Sequence, residues 1–145
     1  MDSIDLKRIH DVADFTQLTD KYPGNDFFKR KIDSLQTSFP TYRKVYGDGN
    51  CFYRSFAYSY LVNTSFNSFE QLFPPVRFVC LGIPDVESDE IFQERLKHYW
   101  DNNLRPMASL REKAKADKLM RIFNEVYLFD EVMVGYFRSK NYEYM

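Results

Sequence analysis

Cysteine, glycine and proline are scarce in this chain of 145 residues, which has 2 cysteines, 5 glycines and 6 prolines. Two cysteines are too few for a disulfide framework or a four-cysteine zinc site, so we expect a reducing, intracellular location and no bound metal. No apolar run approaches the roughly 20 residues that span a bilayer. The N-terminal Met1-Asp2-Ser3-Ile4-Asp5 carries acids early and lacks the apolar stretch of a secretory signal. The sequence therefore predicts no membrane association and a cytoplasmic location, with the nucleus left open as a second compartment.

An excess of charge of one sign is also missing. Lys plus Arg number 20 and Asp plus Glu number 21, which gives a net charge of −1. This balance disfavours broad electrostatic binding, and we expect no nucleic-acid partner. Phosphate-binding glycine motifs and the His-Glu-x-x-His metal motif are absent, so we expect no cofactor. The composition that is present, 44% hydrophobic and 18% aromatic, is that of a folded domain.

The first 24 residues have a loose helical pattern. A stripe at helical spacing consists of Leu6, Ile9, Ala13 and Phe15. It ends near Tyr22-Pro23-Gly24, a turn-forming sequence. We therefore predict an N-terminal helical segment over residues 1–24 and a separate domain over residues 25–145.

A stronger helix follows this segment. Its apolar stripe at positions i, i+4, i+7 and i+11 consists of Phe28, Ile32, Leu35 and Phe39. Asn25 or Asp26 can cap its start, and Pro40 ends it. Residues 41–46 are predicted to form a short strand or an extended approach to the turn that follows.

The rest of the chain is mainly helical in pattern. Residues 51–61 predict a helix, and Ser88 is an expected N-cap of another that reaches Pro106. A further helical stripe consists of Leu119, Ile122, Phe123 and Val126, and Asp130 is expected to cap a last helix. Residues 76–83 fit a short strand or a helical piece equally well. We expect at least four helices and very little sheet.

The segment from Gly47 to Arg54 carries the chemistry of the sequence. It places Cys51 at the first turn of a predicted helix, directly after a glycine-rich turn. A helix N-terminus favours the thiolate, and its unpaired N–H groups, with those of the turn, can hold an oxyanion. The residues alone leave a second interpretation open, in which Cys51 is a small hydrophobic residue of the core.

The same segment resembles the nucleophile motif of the otubains, cysteine peptidases of the ovarian-tumour (OTU) deubiquitinase superfamily. The resemblance rests on the octet Gly47-Asp48-Gly49-Asn50-Cys51-Phe52-Tyr53-Arg54. It extends more weakly to residues 31–35, 123–125 and 130–137. It implies an α+β fold of the papain-like OTU type, of which residues 25–145 form an incomplete domain that is mainly the helical part.

The resemblance also implies a function and a site. The expected activity is thiol-dependent cleavage of isopeptide bonds at the ubiquitin C-terminus, with Cys51 as nucleophile and Asp48 as the acid of the motif. Backbone N–H groups around Gly49 and Asn50 form the expected oxyanion hole. Phe52 and Phe56 are expected to anchor the helix in the core, and we favour a structural role for Arg54. The implied partners are ubiquitin or polyubiquitin and, as a further candidate, a ubiquitin-conjugating enzyme.

The histidine that should act as the base is not recognisable. A cysteine protease needs a group that takes the thiol proton and returns it to the leaving amine, normally His. The family histidine lies near the C-terminus after strands, and neither His10 nor His98 has that context. The alternative is an inactive, truncated otubain-like protein that binds ubiquitin or a conjugating enzyme. The second cysteine, Cys80, is expected to be buried and inert.

Overall fold

The structure is a computed structural model, and it describes residues 7–16, 18, 23–78 and 82–143. The elements are β1 (Ile9–Asp14), α1 (Asp26–Ser38), β2 (Thr41–Val45), α2 (Cys51–Asn63), α3 (Phe69–Leu72), α4 (Asp89–Tyr99), α5 (Glu112–Glu125) and α6 (Phe129–Tyr142). A π-helical turn (Trp100–Leu104) and a 3-10 turn (Arg105–Met107) continue from α4. The predicted fold class, α+β with mainly helix and little sheet, is confirmed.

The sheet of the described residues is an antiparallel pair, β1 with β2, in which Ala13 lies opposite Tyr42. The short strand predicted before the glycine-rich turn is confirmed as β2. The helix predicted from Leu6, Ile9, Ala13 and Phe15 is wrong at Ile9 and Ala13, which lie in β1, and Leu6 lies outside the described residues. The pairing partner of β1 is distant in the chain, so the local spacing of apolar residues could not reveal it. The predicted boundary after residue 24 stays a prediction, although the sheet crosses it.

Asn124 on α5 fastens β1 to the helices. Its Oδ1 accepts hydrogen bonds from the N–H groups of Arg8 and Ile9 at 2.8 and 3.0 Å, and its Nδ2 donates to the Ile9 carbonyl at 2.7 Å. The Ile9 side chain is fully buried beside it. A single amide side chain therefore satisfies the backbone where the strand enters the core.

Helix α6 lies at the centre of the core, since it is buried along most of its length. Helix α2 packs against both α5 and α6. The buried apolar side chains of these three helices include Ala57, Leu61, Leu119, Ile122, Phe123, Phe129, Val132, Met133 and Tyr136. This packing fixes the start of α2, where Cys51 lies, relative to the start of α6.

The face of α2 that the sequence suggested as its anchor points outward. Phe52 and Phe56 are 70% and 51% exposed, so their predicted core role is wrong. The helix instead buries Arg54, Ala57 and Leu61. A spacing of four residues establishes that two side chains share a face, but not that another element covers that face.

Helix α1 has a similar character. Asn25 caps it as predicted, with its side chain accepting a hydrogen bond from the Phe28 N–H, and the helix ends at Ser38, before Pro40. Of the predicted apolar stripe only Ile32 is buried. The aromatic and aliphatic remainder of that stripe is open to solvent.

The later helices begin where the sequence indicated, with one exception. Ser88 caps α4 by accepting a hydrogen bond from the Ile91 N–H. The cap expected of Asp130 is wrong: Leu128 holds the N-cap position with a left-handed φ of 61°, and Asp130 lies inside the first turn of α6, buried. Its carboxylate has charged partners instead of free N–H groups. Cys80 lies outside the described residues, and no described helix is long and apolar enough to cross a membrane.

The hydrogen bonds of Asn124 predict a measurable loss of stability. Asn124→Ala leaves two backbone donors and one acceptor without this partner in a partly buried site, and we expect the free energy of unfolding to fall by about 2 kcal/mol. Urea unfolding of both proteins measures the difference. Asn67→Ala, at an exposed position, is the control and should change the value by less than about 0.5 kcal/mol. Equal effects of the two variants would contradict the assigned role.

Candidate active site

Cys51 is the first residue of α2, and its thiol is exposed. The turn before it, residues 46–50, is called the nucleophile loop below. Asn50 holds the N-cap position and makes no side-chain cap bond. The exposure of Cys51 rules out the second interpretation, in which it fills the core. A solvent-accessible cysteine at a helix N-terminus is the usual way in which a reactive thiol is presented.

The backbone of the nucleophile loop is held by internal hydrogen bonds. Asp48 N–H donates to the Tyr46 carbonyl at 3.1 Å, Asn50 N–H to Asp48 Oδ1 at 3.0 Å, and Cys51 N–H to the Asp48 carbonyl at 3.3 Å. Within the described part of the chain, Gly49 N–H has no acceptor, and the space around Gly49 is open. An oxyanion can therefore accept a hydrogen bond from Gly49 N–H directly. To bond the N–H groups of the neighbouring loop residues, it must displace their weak internal acceptors. The assignment of Gly49 and Asn50 to an oxyanion hole stays a prediction.

The Asp48 carboxylate is paired with Arg54. Arg54 Nη1 donates to Asp48 Oδ1 at 2.9 Å, and Arg54 Nη2 donates to Asp48 Oδ2 at 3.1 Å. The hydrogen bond from Arg54 is the largest cause that lowers the pKa of Asp48 below its ordinary value. Asp48 is thus an ionised partner of a guanidinium, and its role as the motif acid stays a prediction.

Arg54 is itself only 3% exposed and reaches in the other direction to Asp130 on α6. Its Nε and Nη2 donate to Asp130 Oδ1 and Oδ2 at 2.7 and 2.9 Å. Burial alone lowers the pKa of Arg54, but the hydrogen bonds to Asp130 and Asp48 outweigh it and raise the pKa further above its ordinary value. The structural role favoured for Arg54 takes the form of a buried bridge between the nucleophile loop and α6.

Two more arginines complete this charged cluster. Arg8 contacts Asp130 Oδ2 at 3.2 Å and Glu131 Oε1 at 2.6 Å. Arg138, two turns further along α6, donates from Nη1 to Asn50 Oδ1 at 2.7 Å. These residues border a cavity of about 440 Å³, which is also lined by Gly82, Ile83 and Pro84. The nucleophile loop therefore forms one side of an open, polar cavity.

Neither histidine lines this cavity. His98 lies exposed on α4, where its Nδ1 is 3.1 Å from Asn102 Nδ2. His10 lies in β1, and its carbonyl accepts a hydrogen bond from Arg43. No group of His, Cys, Asp or Glu in the described residues is arranged to hold a metal ion. Cys51 itself is not among the residues that line the cavity either.

Sequence reasoning missed Asp130, Arg138 and Arg8 as parts of the site. Asp130 and Arg138 lie 76 and 88 residues from their partners in the octet. The one available signal was the weak resemblance of residues 130–137 to the same family, which marked the segment but not its role.

The fold is of α+β type, and the site presents an exposed thiol on a turn and a helix. The sequence matches the Peptidase C65 Otubain family over residues 4–138. The chain therefore belongs to the otubain family, and its fold is the OTU fold that the octet implied. The match begins well before residue 25 and includes β1.

Two curated relatives show how much of such a protein this chain represents. Ubiquitin thioesterase OTUB2 of Homo sapiens is 25% identical over 133 residues, and its counterpart from Mus musculus is 30% identical over 134 residues. Each alignment covers 92% of this chain but 56% of the relative. The chain thus spans little more than half the length of the curated relatives it matches. No solved structure gave a significant match.

The exposure of Cys51 predicts fast alkylation of the native protein. We expect iodoacetamide to add one group at Cys51 within minutes at mildly alkaline pH, because the thiol meets solvent at a helix N-terminus. Intact-mass analysis and peptide mapping measure the adduct. Cys51→Ala should lose it and Cys80→Ala should keep it. Fast labelling that persists in Cys51→Ala would contradict the assignment.

The lowered pKa of Asp48 predicts a stability difference that depends on pH. Its ionised form stabilises the fold above its ordinary pKa of 3.8, and that contribution is lost as pH falls through the lowered value. Asp48→Asn should therefore cost about 1 kcal/mol at neutral pH, allowing for partial exposure of the carboxylate. Urea unfolding at neutral pH and well below pH 3.8 tests this. We expect the gap between wild type and variant to shrink in acid, and a gap independent of pH would refute the pairing.

Proposed function

We propose that this chain is the nucleophile-bearing part of a thiol-dependent deubiquitinase that hydrolyses isopeptide bonds at the ubiquitin C-terminus. The observation that carries the proposal is Cys51, exposed at the first residue of α2 within the otubain octet. The names of the curated relatives support ubiquitin as the substrate. A ubiquitin-conjugating enzyme is a further proposed partner, and the proposed location is cytoplasmic.

The proposed reaction has two halves. The Cys51 thiolate attacks the carbonyl carbon of the terminal ubiquitin residue, and the carbonyl oxygen takes the negative charge near Gly49 N–H. Collapse of this intermediate breaks the carbon–nitrogen bond, and the lysine amine leaves with a proton. Water then attacks the thioester, which releases the ubiquitin carboxylate and returns the thiol.

The leaving amine needs a proton donor, and neither His10 nor His98 has the sequence context of the family's catalytic histidine. An amine expelled as an anion is a very poor leaving group, so general acid catalysis matters most at this step. We propose that the donor is a histidine from the part of the relatives' length that this chain does not span. We expect His98→Ala to leave any turnover intact, because His98 lies on the surface of α4 beside Asn102.

The second candidate function is binding without cleavage. It is favoured by one observation: neither His10 nor His98 has the sequence context of the family's catalytic histidine. Such a protein binds ubiquitin, or a conjugating enzyme that carries ubiquitin, and regulates that partner by binding it without cleavage.

A ubiquitin molecule with a C-terminal vinyl sulfone tests the proposal. We expect a one-to-one covalent adduct with the wild-type chain, because this electrophile needs a positioned thiolate but no protonated leaving group. Intact-mass analysis detects the adduct, Cys51→Ala should form none, and Cys80→Ala should react as wild type does. If the folded wild-type chain forms no adduct, the enzyme proposal fails for this chain. Ubiquitin titration followed by NMR then measures the binding that the second candidate requires.

A further inference from the structure

We propose that Arg54 is the positioning residue for the nucleophile. Its guanidinium bonds the nucleophile loop to α6 and thereby fixes the position of the Cys51 thiol. The inference rests on the proposed thiol chemistry of Cys51 and adds a role that the thiol itself does not require.

The first argument is the saturation of the guanidinium. An arginine side chain has five N–H donors in a fixed plane, and Arg54 directs all five to protein acceptors. Nε and one Nη2 hydrogen meet Asp130, the other Nη2 hydrogen and one Nη1 hydrogen meet Asp48, and the last meets the Tyr46 carbonyl at 3.2 Å. A lysine ammonium has three donors at one point and cannot span these partners.

The second argument is the position of these partners along the chain. Arg54 lies one helical turn after Cys51, whereas Tyr46 and Asp48 lie just before it. The hydrogen bonds from Arg54 to Tyr46 and Asp48 therefore join the two ends of a short segment that contains Cys51. Asp48 also holds the N–H groups of Asn50 and Cys51, through its carboxylate and its carbonyl. A shift of the Asp48 carboxylate therefore moves the loop that positions the Cys51 thiol.

The third argument separates the two ends of the bridge. Asp130 is buried at the start of α6, so its bonds to Arg54 serve mainly to join α2 to α6. Asp48 is about one-third exposed, and its bonds to Arg54 serve mainly to hold the loop. A change at Asp48 should therefore alter the reactivity of the site more than the stability of the fold.

The test compares Arg54→Lys and Asp48→Ala with wild type. Asp48→Ala leaves the pair of Arg54 and Asp130 in place, so it reports on the loop even if Arg54→Lys fails to fold. Lys115→Met is the matched control, since it removes the hydrogen bond from Lys115 Nζ to the Thr64 carbonyl, at the opposite end of α2 from the loop. The first readout is the rate constant for the adduct with ubiquitin vinyl sulfone, measured under conditions where all variants are folded.

We expect both loop variants to react roughly 10–100-fold more slowly than wild type, since a misplaced reacting atom costs about this much. Lys115→Met should stay within about threefold of wild type, because it leaves the thiol in position. The rate of alkylation by iodoacetamide should change little in every folded variant, since a small reagent does not need a precisely positioned thiol. Loop variants that react with the ubiquitin electrophile as fast as Lys115→Met would overturn the proposal.

Amide hydrogen exchange provides a second readout that does not depend on ubiquitin. In Asp48→Ala the N–H groups of Asn50 and Cys51 should exchange at least about tenfold faster, while the buried α2 amide of Ala57 keeps its protection. Unchanged exchange at Asn50 and Cys51 would refute the role of Arg54 and Asp48 in holding the loop. If wild type forms no ubiquitin adduct, the proposed function fails, and this exchange result still decides the role of the bridge.

Discussion

The buried Arg54 guanidinium is the interaction on which the candidate site depends. A buried charge is tolerated only when its donors are paired, and removing one partner of such a pair typically costs about 3–5 kcal/mol. The Arg54 side chain therefore requires the nucleophile loop on one side and the start of α6 on the other. Because α6 forms the centre of the core, the position of Cys51 is tied to the most buried element of the fold.

Local signals in the sequence predicted what local chemistry decides. Ser88 was identified as a cap, and Asn25 as one of two candidates with Asp26, because a short polar side chain before an apolar stripe can accept from the N–H groups that follow it. The position of Cys51 at the start of a helix was predicted for the same reason, since its turn and its helix are contiguous in sequence. Where pairing is distant the prediction failed: β1 needs β2, and the spacing of Ile9 and Ala13 matches a helix equally well.

Asp130 shows why the rest of the site was not predictable. An acidic residue at the start of a helix has two low-energy roles, as a partner of free N–H groups or as a partner of a distant cation, and both place Asp at that position. Which role applies depends on Arg54, which lies 76 residues earlier in the chain. Phe52 and Phe56 pose the same problem, because their periodicity defines a face but the covering element is not encoded nearby.

The proposed function requires two properties, a positioned nucleophile and a proton donor for the leaving amine. The described residues hold an exposed thiol on α2 whose loop is bonded to Arg54. Turnover needs in addition a proton for the leaving amine, and without it the tetrahedral intermediate expels the better leaving group, the thiolate, and returns to substrate. A positioned thiol can thus be permanently trapped by an electrophile and still release no amine from a natural isopeptide. Under the proposed function, covalent capture of ubiquitin and hydrolysis of ubiquitin chains are therefore distinct measurements, and capture tests the thiol and its loop alone.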